Sequence, residues 1–170
     1  CKLNELMVYS NNDYFTKALE LAQNKKLYTS IVRKIIKAKN SRITEDFFVI
    51  ARIESFILGK SLSDALKRAN AYSQAGADAI LIHSKEKTPK QIFAFAKKFL
   101  KSKFYKPMVA VPSTYSKTTE KQLIDHGFKV VIYANHMLRA AYPAMTNTAK
   151  KILENKKSYP AEKNLTSIKK

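Results

Sequence analysis

The chain holds a single cysteine, Cys1, and no tryptophan. One cysteine excludes an internal disulfide framework and fits a reducing cytoplasm, the expected compartment. Without Cys and His companions it also excludes a zinc site at that residue. Glycine and proline are scarce, at 3 and 5, which excludes collagen-like and low-complexity classes. No apolar run approaches the roughly 20 residues of a membrane-spanning helix. The opening, CKLNELMVYSNN, lacks the basic patch, apolar core and small-residue cleavage site of a signal peptide. Acidic residues are few as well: 13 against 32 lysines and arginines, a formal net charge of +19.

That charge invites a nucleic-acid partner. Arginine, however, occurs only at positions 33, 42, 52, 68 and 139. Base readout and phosphate forks favour its planar donor geometry over lysine. The lysines are spread along helical stretches and do not interleave with stacking aromatics, so they read as a solvated surface. Such a surface attracts small anions at long range; nucleic acid is not expected as a partner, nor, without a spanning run, is a membrane.

What the chain does have is 45 % hydrophobic residues over 170 positions, enough for one domain with a full core. Asn12 or Asp13 can cap a helix over 14–25, and a second helical pattern runs over 27–39. A strand is expected over 47–53. A helix capped by Ser61 or Ser63 follows, closed by Gly76. Strand 79–82 leads to a helix opened by Thr88-Pro89, with Ile92, Phe93, Phe95, Ala96 and Phe99 as its core face. Strand 108–111 ends at Pro112, and Ser116 or Thr118 caps a helix closed by Gly127. Strand 130–133 precedes a last helix over 138–154, with an interruption or kink expected near Pro143. The Lys-rich tail, 155–170, is expected to be loose or ordered by a partner subunit. Strands alternating with helices demand a parallel α/β sheet. Four such units are either half of a (β/α)8 barrel or a small doubly wound domain.

Two of the strands end unusually. The run Phe47–Ala51 closes on Arg52, and Ala79–Ile82 closes on His83. A buried strand rarely ends in a cation, because an unpartnered charge is costly to desolvate. The C-terminal ends of parallel strands are also where ligand-binding groups gather. Arg52 and His83 are therefore read as converging on one anionic ligand. The plainer alternative for Arg52 is a structural ion pair with Glu54 or Asp78; for His83 it is a satisfied histidine at a strand terminus. Glu54, two residues on and on the same face, is expected to orient Arg52 from behind. Ser84 and Asn135 are further supporting candidates, with Asn135 expected to cap the last helix. His126 reads as a helix-end cation. No Ser/His/Asp constellation, glycine-rich phosphate loop or paired-cysteine motif is visible.

The stretches VIARIESFILGKSLSDALKRANAYSQAGADAILIHSKEKTP, MVAVPSTY and VVIYANHMLRAAYPAM resemble the C-terminal half of the phosphoenolpyruvate mutase family, in the isocitrate lyase/phosphoenolpyruvate mutase superfamily. The resemblance covers 46–156, between a poorly matched helical lead-in, 1–45, and a basic tail, 157–170. It implies half of a (β/α)8 barrel of the helix-swapped type, assembled as a homodimer or homotetramer. It implies interconversion of phosphoenolpyruvate and phosphonopyruvate, the C–P bond-forming entry to phosphonate biosynthesis, with Mg2+. Arg52 and His83 then match the family's substrate-contacting arginine and histidine. The family's metal-binding carboxylates, nucleophilic aspartate and gating segment belong to its N-terminal half, and none is found before Asp46. Phosphonopyruvate hydrolase is the alternative by the same resemblance; Ala134 before the Asn-His pair leans toward the mutase. A non-catalytic basic binding module is the reading from a different class.

Overall fold

The structure, a computed structural model, describes residues 25–168. The helix expected over 14–25 therefore falls, but for Lys25, outside the described residues. Two compact units divide between Ile132 and Tyr133.

Among the described residues, the first unit runs from α1 (Lys25–Asn40) through β1 (Ile50–Ile53), α2 (Leu62–Gln74), β2 (Ala79–Ile82), α3 (Lys90–Phe99), β3 (Met108–Ala110) and α4 (Glu120–Asp125) to β4 (Phe128–Val131). The strands form one parallel sheet in the order β1-β2-β3-β4. Each strand lies beside its sequence neighbour, and the direction of strand addition never reverses. A doubly wound domain needs that reversal; a (β/α)8 barrel does not. The fold is thus four βα units in barrel order.

Strand parity sorts the side chains onto two faces. Ala51, Ile53, Ile80, Ile82, Met108 and Ala110 join the helix residues Ala65, Ala69, Ile92, Phe95, Phe99 and Leu123 in the main core. Ala79, Leu81, Val109 and Val111, with Ile132 against them, form a second cluster on the opposite face. Arg52 pairs with Leu81 in the ladder, so it belongs to this second face.

Several boundaries differ from the sequence expectation, each for a local reason. β1 starts at Ile50, not Phe47; Phe47 and Phe48 are exposed. Upstream, Val49 is held by Asp78 instead of a ladder: its N–H donates to Asp78 Oδ2 at 2.8 Å and its carbonyl accepts from the Asp78 N–H at 2.8 Å. Ser61 caps α2 as expected, accepting from the Asp64 N–H. For α4 the cap is Thr119, not Ser116 or Thr118, because Gln122 three residues on completes a capping box. Phe93 packs against the main core at its edge, partly buried, and also stacks on His126, centroids 3.6 Å apart. β4 begins two residues early, since a register shift at Met108/Val109 pairs Phe128 with Met108 and Val130 with Val109.

The second unit holds α5 (His136–Asn155) and α6 (Tyr159–Glu162). α5 runs as one helix through Pro143, so of the two expectations there the interruption does not occur. Thr146 and Thr148 donate back to the Tyr142 and Ala144 carbonyls. After α5, Lys156 turns left-handed (φ 53), and Ala161 of α6 is fully buried. Among the described residues no helix is long and apolar enough to cross a membrane.

Candidate active site

The parallel register delivers the two strand-end cations to one place. Arg52 is opposite Leu81 and Ile53 opposite Ile82, and the His83 N–H extends the pairing to the Ile53 carbonyl at 3.3 Å. His83 follows Leu81 by two residues and shares the face of Arg52. Their side chains meet, with Arg52 Nη2 2.9 Å from His83 Nδ1.

Glu54 joins both. Its Oε1 accepts from Arg52 Nε, and its Oε2 lies 3.4 Å from His83 Nδ1. Burial pulls the Glu54 carboxyl upward, but the adjacent His83 ring and the Arg52 charge outweigh it and hold the group below the ordinary glutamate range. Glu54 and His83 side chains are 18 % and 19 % exposed, while that of Arg52 is 46 % exposed. The cluster is anchored from below and open toward solvent on its guanidinium side. It presents fixed N–H donors, which suits a carboxylate or phosphoryl group.

The loop after β1 is fastened behind this cluster. Ser55, almost fully buried, donates to Asp64 Oδ2 at 2.7 Å, and Arg68 Nε donates to the same oxygen at 2.8 Å. Burial opposes ionisation of Asp64, yet the Arg68 and Ser55 hydrogen bonds keep its carboxyl low. Asp78, the alternative partner considered for Arg52, is engaged by Lys39 Nζ at 2.6 and 2.7 Å instead. Ser55 and Asp64 carried no signal in the sequence beyond the helix start.

The other candidates have different surroundings. The Ser84 hydroxyl is fully buried, donates to Gln91 Oε1 at 2.7 Å and accepts from the Glu86 N–H at 3.1 Å. Ser84 thus shapes the loop into α3, and its carbonyl accepts from Thr114 Oγ1 at 2.8 Å, tying the β2 and β3 ends together. Tyr115, fully buried, accepts from the Val111 N–H, and burial pushes its hydroxyl up to about 12. Asn135 stands at the N-cap of α5 but makes no side-chain cap bond, a correction; only its carbonyl is used, by the Arg139 N–H at 2.9 Å. His126 caps α4, donating from Nδ1–H to the Gln122 carbonyl at 2.7 Å.

The cluster does not suit a divalent cation. Glu54 is its carboxylate, and both oxygens face Arg52 and His83. Among the described residues no group of three or more His, Cys, Asp or Glu side chains could hold a metal ion.

Four βα units in barrel order, with an Arg–Glu–His cluster at the C-terminal strand ends, define an α/β protein of the TIM-barrel superfamily type. The phosphoenolpyruvate phosphomutase family model matches residues 17–153, and the chain belongs to that family. It is 41 % identical over 138 residues to the phosphoenolpyruvate phosphomutase of Tetrahymena pyriformis, covering 81 % of this chain and 45 % of that protein. It is 44 % identical over 113 residues to the phosphonopyruvate hydrolase of a Variovorax strain, covering 66 % of this chain and 38 % of that one. A solved phosphonopyruvate hydrolase in complex with oxalate and Mg++ aligns with a TM-score of 0.74 and 38 % identity, over 84 % of this chain and 50 % of that one. The chain spans less than half the length of the curated relatives it matches.

Proposed function

We propose that this chain forms the substrate-binding C-terminal half of a phosphoenolpyruvate mutase, with Arg52 and His83 gripping phosphoenolpyruvate or phosphonopyruvate. The observation that carries the reading is the 2.9 Å meeting of Arg52 and His83, backed by Glu54, in a chain of this family. In the mutase reaction the bond from phosphorus to the enol oxygen breaks and one from phosphorus to the methylene carbon forms, with no net gain or loss of atoms. Charge spreads over the phosphoryl oxygens as the group moves. A fixed guanidinium and an imidazole N–H stabilise that charge without reorganising. Glu54 keeps the guanidinium in place during the transfer, and the Ser55–Asp64 bond holds the loop that carries Glu54.

The phosphorus-accepting nucleophile and Mg2+ belong, on this reading, to a further half of the barrel. Mg2+ would supply charge neutralisation there. A homo-oligomer built by exchange of the last helix fits α5, which buries no residue and exposes Leu138, Tyr142, Met145 and Ile152 at helical spacing.

Phosphonopyruvate hydrolase is the second reading, favoured by the 44 % identity to the Variovorax enzyme. The test is phosphonopyruvate turnover by the full-length protein, with products resolved by phosphorus NMR. Phosphoenolpyruvate as product supports the mutase. Pyruvate with inorganic phosphate assigns the hydrolase, and no consumption contradicts both.

A further inference from the structure

A guanidinium has five donors and no acceptor. The 2.9 Å contact from Arg52 Nη2 to His83 Nδ1 therefore requires a lone pair on Nδ1. The competing arrangement donates Nδ1–H to Glu54 Oε2, at 3.4 Å, near the outer limit of a hydrogen bond. The shorter contact governs, and the ring proton sits on Nε2. What aims Arg52 is Glu54 Oε1, which accepts from Nε and leaves Nη2 to reach the ring.

We infer that Glu54 is a positioning residue that selects the Nε2–H tautomer of His83 by holding Arg52 against Nδ1. His83 then has one remaining ring donor, Nε2–H, for an anionic oxygen. It serves as a neutral hydrogen-bond donor beside the cationic guanidinium, and the rim carries one fixed positive charge in place of two. The inference deepens the proposed substrate site and rests on that reading for its purpose, though not for its geometry. The ladder explains why Arg52 and His83 are neighbours; the Glu54 bridge explains which ring nitrogen faces the guanidinium.

The experiment is 15N NMR of histidine-labelled full-length protein at neutral pH, with His83 assigned by its loss in His83→Gln. The expected spectrum has Nδ1 in the unprotonated range and Nε2 in the N–H range. A protonated Nδ1, in either the other tautomer or the imidazolium, overturns the inference without any variant needing to fold. Glu54→Ala is expected to scramble the tautomers and weaken oxalate binding about tenfold, the loss of one charge-assisted contact. Glu54→Gln is expected to restore a single tautomer, because its amide oxygen still accepts from Arg52 Nε. If Glu54→Gln behaves like Glu54→Ala, the charge and not the positioning matters, and the inference fails. Titration with oxalate in the presence of Mg2+ separates the two layers. A displaced Nε2 resonance is expected. An unmoved one, with the Nε2–H tautomer intact, contradicts the proposed substrate site and leaves tautomer selection standing.

Discussion

Arg52 Nη2 and His83 Nδ1 lie 2.9 Å apart although 31 residues separate them in the chain. Sheet register produces the meeting: Arg52 faces Leu81, and two residues further His83 emerges on the same side. A one-residue slip would send one of the two to the helix-covered face. β1 alternates, with Ala51 and Ile53 buried and Ile50 and Arg52 exposed, so the slip would drive the Arg52 charge into the main core. Packing of the strands therefore places the chemistry at their ends.

The Glu54 carboxyl should make stability depend on acid. Its folded pKa lies below the ordinary value near 4.5, so its contribution is fully present above that pH. It is lost as pH falls through the depressed folded value, because protonation ends the attraction to the Arg52 guanidinium. Urea unfolding from pH 6 down to about 3 should show wild type and Glu54→Gln converging as acidity rises. A gap that stays constant across this window would contradict the assignment.

Asp78 ties α1 and the approach to β1 onto β2 through Lys39 Nζ and the Val49 N–H. Its carboxyl is held low by those two bonds against the opposing effect of burial. Asp78→Ala should cost about 2 kcal/mol, the scale of hydrogen bonds to a charged group whose partners stay behind. Urea denaturation measures it, and a loss below about 0.5 kcal/mol, the surface-substitution scale, would count against the role.

Gly127 ends α4 at φ 85, where a Cβ would approach Leu100 Cδ2 to 2.9 Å. The tip of Leu100 is partly exposed and can move, so backbone strain should dominate. Gly127→Ala is expected to lower stability by about 1–2 kcal/mol. Leu100→Ala in the same background should return only a minor part. Full recovery would mean that the clash, not the φ angle, sets the cost.

The apolar residues along α5 give a test of assembly. Leu138, Tyr142 and Met145 are each more than half exposed in the single chain. Tyr142→Glu with Met145→Glu should shift the full-length protein toward monomer in light scattering at micromolar concentration. An unchanged mass would remove this face from any interface.

Much of this was legible in the residues because the informative signals are local. Ala79–Ile82 is apolar throughout and reads as a strand buried on both sides; Gly76 and Gly127 mark helix ends, and both sit at positive φ. Arg52 and His83 stood out as cations closing apolar runs. What stayed hidden is non-local. Phe47 to Val49 continue the apolar run, yet the ladder starts only where β2 offers partners, at Ile50. The shift at Met108/Val109 moves β4 through a pairing that no single segment encodes. Glu54 was read as a partner of Arg52 alone, since its contact with His83 depends on the strand crossing. Asn135 has the residue type of a cap, but its backbone at φ −133, ψ 6 departs from the extended conformation in which a side chain reaches back to the first turn.

The central claim is that Arg52 grips the reacting anion together with His83. The most direct measurement is kcat/KM for phosphonopyruvate in the full-length protein and its Arg52→Ala variant, with folding checked by circular dichroism. The account predicts a fall of at least about tenfold, and up to about a hundredfold, from loss of charge-assisted hydrogen bonds. Turnover equal to wild type in a folded Arg52→Ala protein would contradict it.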